Sequence, residues 1–132
     1  MLLIYRLGHL ASALHIPLIP RLAYLVNRIL FAVVLPPTAR IGRNVVIAYS
    51  GLGTVIHARA VIGDRVYIGP GVVIGGRSGL ERVPVIEDDV EIGARACVLG
   101  PINIGRGSKI GAGAIVVRDV AAGSTVKGMP AA

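Results

Sequence analysis

The stretch Ile62-Gly63-Asp64-Arg65-Val66-Tyr67-Ile68-Gly69-Pro70-Gly71-Val72-Val73-Ile74-Gly75 places an aliphatic residue followed by glycine at every sixth position. The phase continues through Ile86, Ile92, Val98, Ile104, Ile110 and Val116, spaced by six residues or twelve. Glycine recurs in the next position at Gly93, Gly105 and Gly111. An earlier Ile41-Gly42 obeys the same rule before the phase slips by three.

Two residues before each of these aliphatics stand Ala60, Val66, Val72, Pro84, Val90, Ala96, Ile102, Ser108 and Ala114. Strand alternation puts positions two apart on one face, so each repeat points two side chains inward. A glycine at the bend and a six-residue period leave about three residues of strand per side. A sandwich would need turns about every 8 to 12 residues, and an amphipathic helix would show a 3.6-residue period. The predicted fold is therefore all-β, a triangular coil that repeats itself.

The bulk properties agree with one small domain and set limits on its partners. Of 132 residues, 54% are hydrophobic, 4% aromatic and none tryptophan, so the core must be aliphatic. The formal net charge of +7 favours an anionic partner such as a phosphorylated cofactor or an acidic membrane surface. The basic residues are scattered singly and few aromatics accompany them, which argues against nucleic acid. A lone Cys97 allows no internal disulfide, and Met1-Leu2-Leu3-Ile4-Tyr5 has no charged leader, so a cytoplasmic location is expected.

Residues 1–35 differ in texture from residues 36–132, which hold the repeats. The first part is rich in Leu, Ile, Ala and Val, with prolines at Pro17 and Pro20, and reads as two short helices. Ile16 to Leu35 has the length of a membrane span, but Arg21, Asn27 and Arg28 within it would be costly in hydrocarbon. A helix packed on the coil is expected. The alternative is an interfacial helix that contacts a membrane peripherally through its apolar residues and arginines.

The hexads, together with Gly51-Leu52-Gly53-Thr54-Val55-Ile56-His57, Ile74-Gly75-Gly76-Arg77-Ser78-Gly79 and Val126-Lys127-Gly128-Met129-Pro130-Ala131, resemble the hexapeptide-repeat acyltransferases. Residues 41 to 131 look like the serine O-acetyltransferase branch, which includes small enzymes of surface-polysaccharide pathways. The resemblance implies a left-handed parallel β-helix with three hexads per coil. It also implies a homotrimer and acetyl-CoA bound between the coils of neighbouring subunits. By the same resemblance, Ala94 and Ala112, one coil apart, align with small residues lining the coenzyme A cleft. The serine enzymes carry histidines where Ser50 and Val83 align, while Arg82 and Pro84 match the neighbours of the second. These departures turn the expected acceptor toward a sugar hydroxyl of a surface polysaccharide or its precursor, with serine as the alternative. A non-catalytic trimeric scaffold is the rival from another class.

The twelve-residue gap from Ile74 to Ile86 is either two plain repeats or one repeat with a loop pushed out of a corner. The second register gathers Val55, Val73, Cys97 and Ile115 on one outer face and Tyr67, Glu91 and Lys109 on another. That separation of apolar from polar favours an extruded loop from Gly76 to Val83, and an apolar outer face suits a buried contact between subunits.

His57 then lies about one strand spacing, 4.8 Å, below the loop. Transfer to a hydroxyl needs a base that works near neutral pH, and imidazole meets the need, so His57 is the candidate base. Gly76 is a candidate for offering a backbone N–H to the developing oxyanion. Arg77, Ser78 and Arg82 are candidates for holding the acceptor or a phosphate, although a solvated loop has similar composition. Lys127 is a candidate phosphate contact, with plain solubility as the alternative. No metal is expected, because only His57 of the three histidines lies in the coil.

Overall fold

A computed structural model describes residues 1–128 of the chain; the last part of the closing motif, Met129-Pro130-Ala131, lies outside them. Two helices, α1 (Leu2–Ala13) and α2 (Leu18–Phe31), pack on each other and lead into a parallel β-helix. Pro20 falls in the first turn of α2, where backbone N–H groups have no helical partner, so the ring is tolerated there. Gly8 allows the close crossing, since a Cβ at that position would lie 2.8 Å from the Cβ of Ala23.

The coil consists of thirteen two- or three-residue strands, β1 (Arg40–Ile41) to β13 (Thr125–Val126), stacked in three parallel sheets. Face A stacks β3 (Val55–Ile56), β6 (Val73–Gly75), β9 (Cys97–Leu99) and β12 (Ile115–Val116). Face B stacks β1, β4 (Val61–Ile62), β7 (Val85–Ile86) and β10 (Asn103–Ile104). Face C stacks β2 (Val46–Ile47), β5 (Tyr67–Ile68), β8 (Glu91–Ile92), β11 (Lys109–Ile110) and β13. Val34 adds a first rung by bridging Val55, with Val33 and Leu35 fully inside the core.

The register is the one with an extruded loop. Val55 pairs Val73, Val73 pairs Cys97 and Cys97 pairs Ile115, while Tyr67 pairs Glu91 and Glu91 pairs Lys109. Every repeat aliphatic from Ile62 to Val116 is buried, as are the positions two residues earlier. Burying one such side chain contributes about 1.5–3 kcal/mol, which is what a coil with no aromatic among these inward positions has to rely on. Thr54 and Ser108 place hydroxyls in the interior, and the Ser108 Oγ finds no partner among the described residues.

The corner glycines follow from how tightly the coils stack. A Cβ on Gly93 would lie 2.5 Å from the Ala112 nitrogen, and one on Gly105 2.4 Å from the Ala122 nitrogen. Backbone meets backbone at these bends, and only hydrogen fits between.

Candidate functional site

Three corners join the faces, and the sequence-predicted residues fall on two of them. His57, Gly76 and the loop leave the corner between faces A and B. Ala94, Ala112 and Lys127 stand on the corner between faces C and A, because each follows a strand of face C. Face A separates the two groups within one chain.

At the first corner His57 is half-buried and its backbone N–H donates to the Ile74 carbonyl at 2.8 Å, which holds it directly under the root of the loop. Its Nδ1 accepts the Arg59 backbone N–H at 3.1 Å, so the neutral ring carries its hydrogen on Nε2. Nε2 faces Gly76: a Cβ there would lie 4.0 Å from Nε2 and from Cδ2. The imidazole edge and the Val83 side chain, whose Cγ1 would lie 3.7 Å from the same Cβ, therefore flank the Gly76 backbone. The Arg77 stem lies over Gly100, where a Cβ would meet Arg77 Cδ at 2.8 Å. Ser78, inside a turn closed by the Leu80 N–H on the Arg77 carbonyl at 3.0 Å, and Arg82, after it, both stay exposed.

The second corner holds a cavity of about 510 Å³ lined by Tyr49, Leu52, Gly53, Pro70, Gly71, Ala94 and Arg95. Of these, sequence reasoning selected only Ala94. Ala112 continues the same corner one coil on, with Gly128 against its carbonyl and exposed Lys127 beside it. Arg95 brings an exposed cation to the rim, and its Cγ would lie 3.2 Å from a Cβ on Gly71. An apolar trough with small residues and cations along one edge suits a long ligand that has both an aliphatic arm and phosphates.

A sequence signal for this cavity did exist. The three-residue phase slip after Ile41-Gly42 becomes the short 3₁₀ turn Ala48–Gly51, in which Tyr49 and Ser50 both adopt left-handed backbone with φ of 52° and 53°. Non-glycine residues held there concentrate at sites where the surroundings overdetermine them. The turn pushes Tyr49 outward as the cavity's wall.

The third corner, between faces B and C, carries charge pairs that stitch the coils. Arg65 grips Asp89 with two hydrogen bonds of 2.7 and 3.1 Å, and Arg106 meets Asp88 at 2.9 Å. The hydrogen bond from Arg65 holds the Asp89 carboxyl below its ordinary range. Asp64 and Asp88 also accept backbone N–H groups of Arg43 and Asp64 at 2.7 and 2.8 Å. These carboxylates are committed to structure. Among the described residues no three His, Cys, Asp or Glu side chains gather as metal ligands.

Residues 84–118 match the family model for the bacterial transferase hexapeptide of six repeats. A serine acetyltransferase of Synechococcus elongatus is 41% identical over 132 residues, covering 98% of this chain and 53% of that protein. A solved structure of soybean serine acetyltransferase complexed with serine superposes with a TM-score of 0.88 at 38% identity, covering 96% of this chain and 53% of that one. A serine acetyltransferase solved in complex with CoA gives 0.88 at 31% identity, covering 96% and 52%. The chain thus shares the left-handed parallel β-helix of those structures, and it spans about half the length of the curated relatives it matches. These relatives are all serine acetyltransferases, none of them a polysaccharide enzyme.

Proposed function

We propose that this hexapeptide-repeat chain transfers the acetyl group of acetyl-CoA to a hydroxyl oxygen, and that the hydroxyl is that of serine. The observation that carries the reading is the approach of the His57 imidazole edge to the side-chain-free backbone of Gly76, at the root of the loop. Likeness to serine acetyltransferases along nearly the whole chain supports it.

In the proposed reaction the acceptor oxygen attacks the thioester carbonyl carbon while His57 takes its proton. The C–S bond then breaks, and the departing sulfur receives that proton to leave free coenzyme A and the ester. Taking the proton at Nε2 requires the ring hydrogen to move to Nδ1, which releases the Arg59 amide. Gly76 offers its backbone N–H to the oxyanion, and Arg77, Ser78 and Arg82 hold the acceptor. Ala94 and Ala112 leave room for the pantetheine arm, with Arg95 and Lys127 as phosphate contacts.

The two halves stand on opposite edges of face A, so we place the complete site between copies of the chain, in a trimer packed on that face. The outward residues of face A support this: Ile115 is 72% exposed and Val55 37%, without a charge between them.

The test is release of free thiol from acetyl-CoA in the presence of serine, nucleotide sugars or oligosaccharides. Serine-dependent release is expected. Release with sugars alone would return the acceptor to polysaccharide chemistry, and neither turnover nor coenzyme A binding would leave a structural coil.

A further inference from the structure

The helical pair is turned inside out. In α2 the buried residues are Pro20, Ala23 and Asn27, and the Asn27 amide is fully buried with no hydrogen-bond partner on either atom among the described residues. Its leucine stripe, Leu18, Leu22, Leu25 and Ile29 at spacings of four, three and four, is 50–74% exposed on the opposite side. The first helix repeats the arrangement. It buries Tyr5, Gly8 and Ala11 and exposes Leu3, Leu7, Leu10 and Leu14 at 57–74%. A helix packed only on the coil would have its leucines inside.

Charge identifies the occupant. The first 63 residues contain six arginines and no Asp or Glu; all seven acids lie from Asp64 onward. Arg21 lines a shallow groove with Leu18, Ile19, Leu22 and Leu25, and Arg28 follows two turns later beside the Tyr24 hydroxyl at 3.5 Å. Cations therefore border the apolar stripe along one side. A second copy of this chain would bring the same arginines against each other with no carboxylate in either segment to answer them. An anionic lipid surface supplies both the apolar layer and the opposite charge.

We propose that α1 and α2 dock on an anionic membrane surface, lying in its plane with the leucine stripes sunk at the headgroup level. At 14 residues α2 is about 21 Å long, short of the roughly 30 Å hydrocarbon core. No helix among the described residues is long and apolar enough to cross a membrane. The proposal is independent of the transferase reading, since it is measured without turnover.

The experiment floats the purified chain with vesicles of phosphatidylcholine alone or containing about 30% phosphatidylglycerol. The chain is expected to rise only with the anionic vesicles, and to be largely released in about 0.5 M salt. Leu22→Glu with Leu25→Glu changes exposed positions only, so its circular dichroism should match the parent while binding falls at least about tenfold. Arg21→Glu with Arg28→Glu should weaken binding and its salt dependence together. Three results overturn the proposal: no flotation with anionic vesicles at low salt, flotation of the leucine variant like the parent, or a drop in oligomer mass in that variant.

Discussion

His57 Nε2 and the backbone of Gly76 face each other at the root of the extruded loop, and a methyl group added at Gly76 would lie 4.0 Å from that nitrogen. Such a distance is ordinary van der Waals contact, so Gly76→Ala fits the fold. It does fill the space through which a thioester would approach. The expected outcome is unchanged thermal stability with turnover lowered about tenfold or more. Equal turnover in the variant would leave Gly76 as a loop-shaping residue only.

His57→Ala removes the imidazole without touching the loop backbone. Thiol release is expected to fall about a hundredfold or more, while coenzyme A affinity measured by calorimetry stays the same. An unchanged rate would take His57 out of the mechanism.

The trimer is tested on face A. Ile115→Glu puts a carboxylate on a position that is 72% exposed in the single chain, so the coil itself should fold normally. Light scattering should then report the mass of one chain, and activity should be lost with the oligomer. A trimer that survives the substitution would place the contact elsewhere.

Gly93→Ala sets a stability change apart from a site change. The new methyl would meet the Ala112 nitrogen at 2.5 Å and its Cα at 2.9 Å, both backbone atoms that cannot swing aside. A loss of about 1–3 kcal/mol in denaturant unfolding is expected.

Tyr5 ties the helices to the coil by donating its buried hydroxyl to the Ala39 carbonyl. Burial raises its pKa, against the opposing pull of Arg6. A raised folded-state pKa means that the contribution is complete below the unfolded value of about 10 and is lost as pH rises further. Melting temperature should therefore drop in that alkaline range. Tyr5→Phe, which leaves the Ala39 carbonyl unpaired at a cost of about 1–3 kcal/mol, should remove that step.

Much of the coil was legible because its period is local. Ile62, Ile68 and Ile74 mark three successive bends in the same way, and the apolar set Val55, Val73, Cys97 and Ile115 is enough to locate the extruded loop. The site was legible in part. Gly76 opens the twelve-residue gap and His57 stands one coil below it, which made both candidates, whereas Tyr49, Pro70 and Arg95 line the cavity without having been candidates. The signal for Tyr49 was the three-residue phase slip, which marks an irregular turn but does not say which side chain it pushes outward; Pro70 and Arg95 stand on regular bends with no such mark.

By itself the sequence determined the winding: a six-residue period with glycine at the bend has one economical solution, because every turn must bury the same two positions. Tertiary structure decided what the winding brings together and what it leaves bare. The approach of His57 to Gly76 joins residues from different coils, and the corner cavity gathers three successive bends. The outward aspect of the helix leucines depends on which side of α1 and α2 the coil occupies. A periodic pattern marks an apolar stripe, but only packing settles whether that stripe faces inward or out.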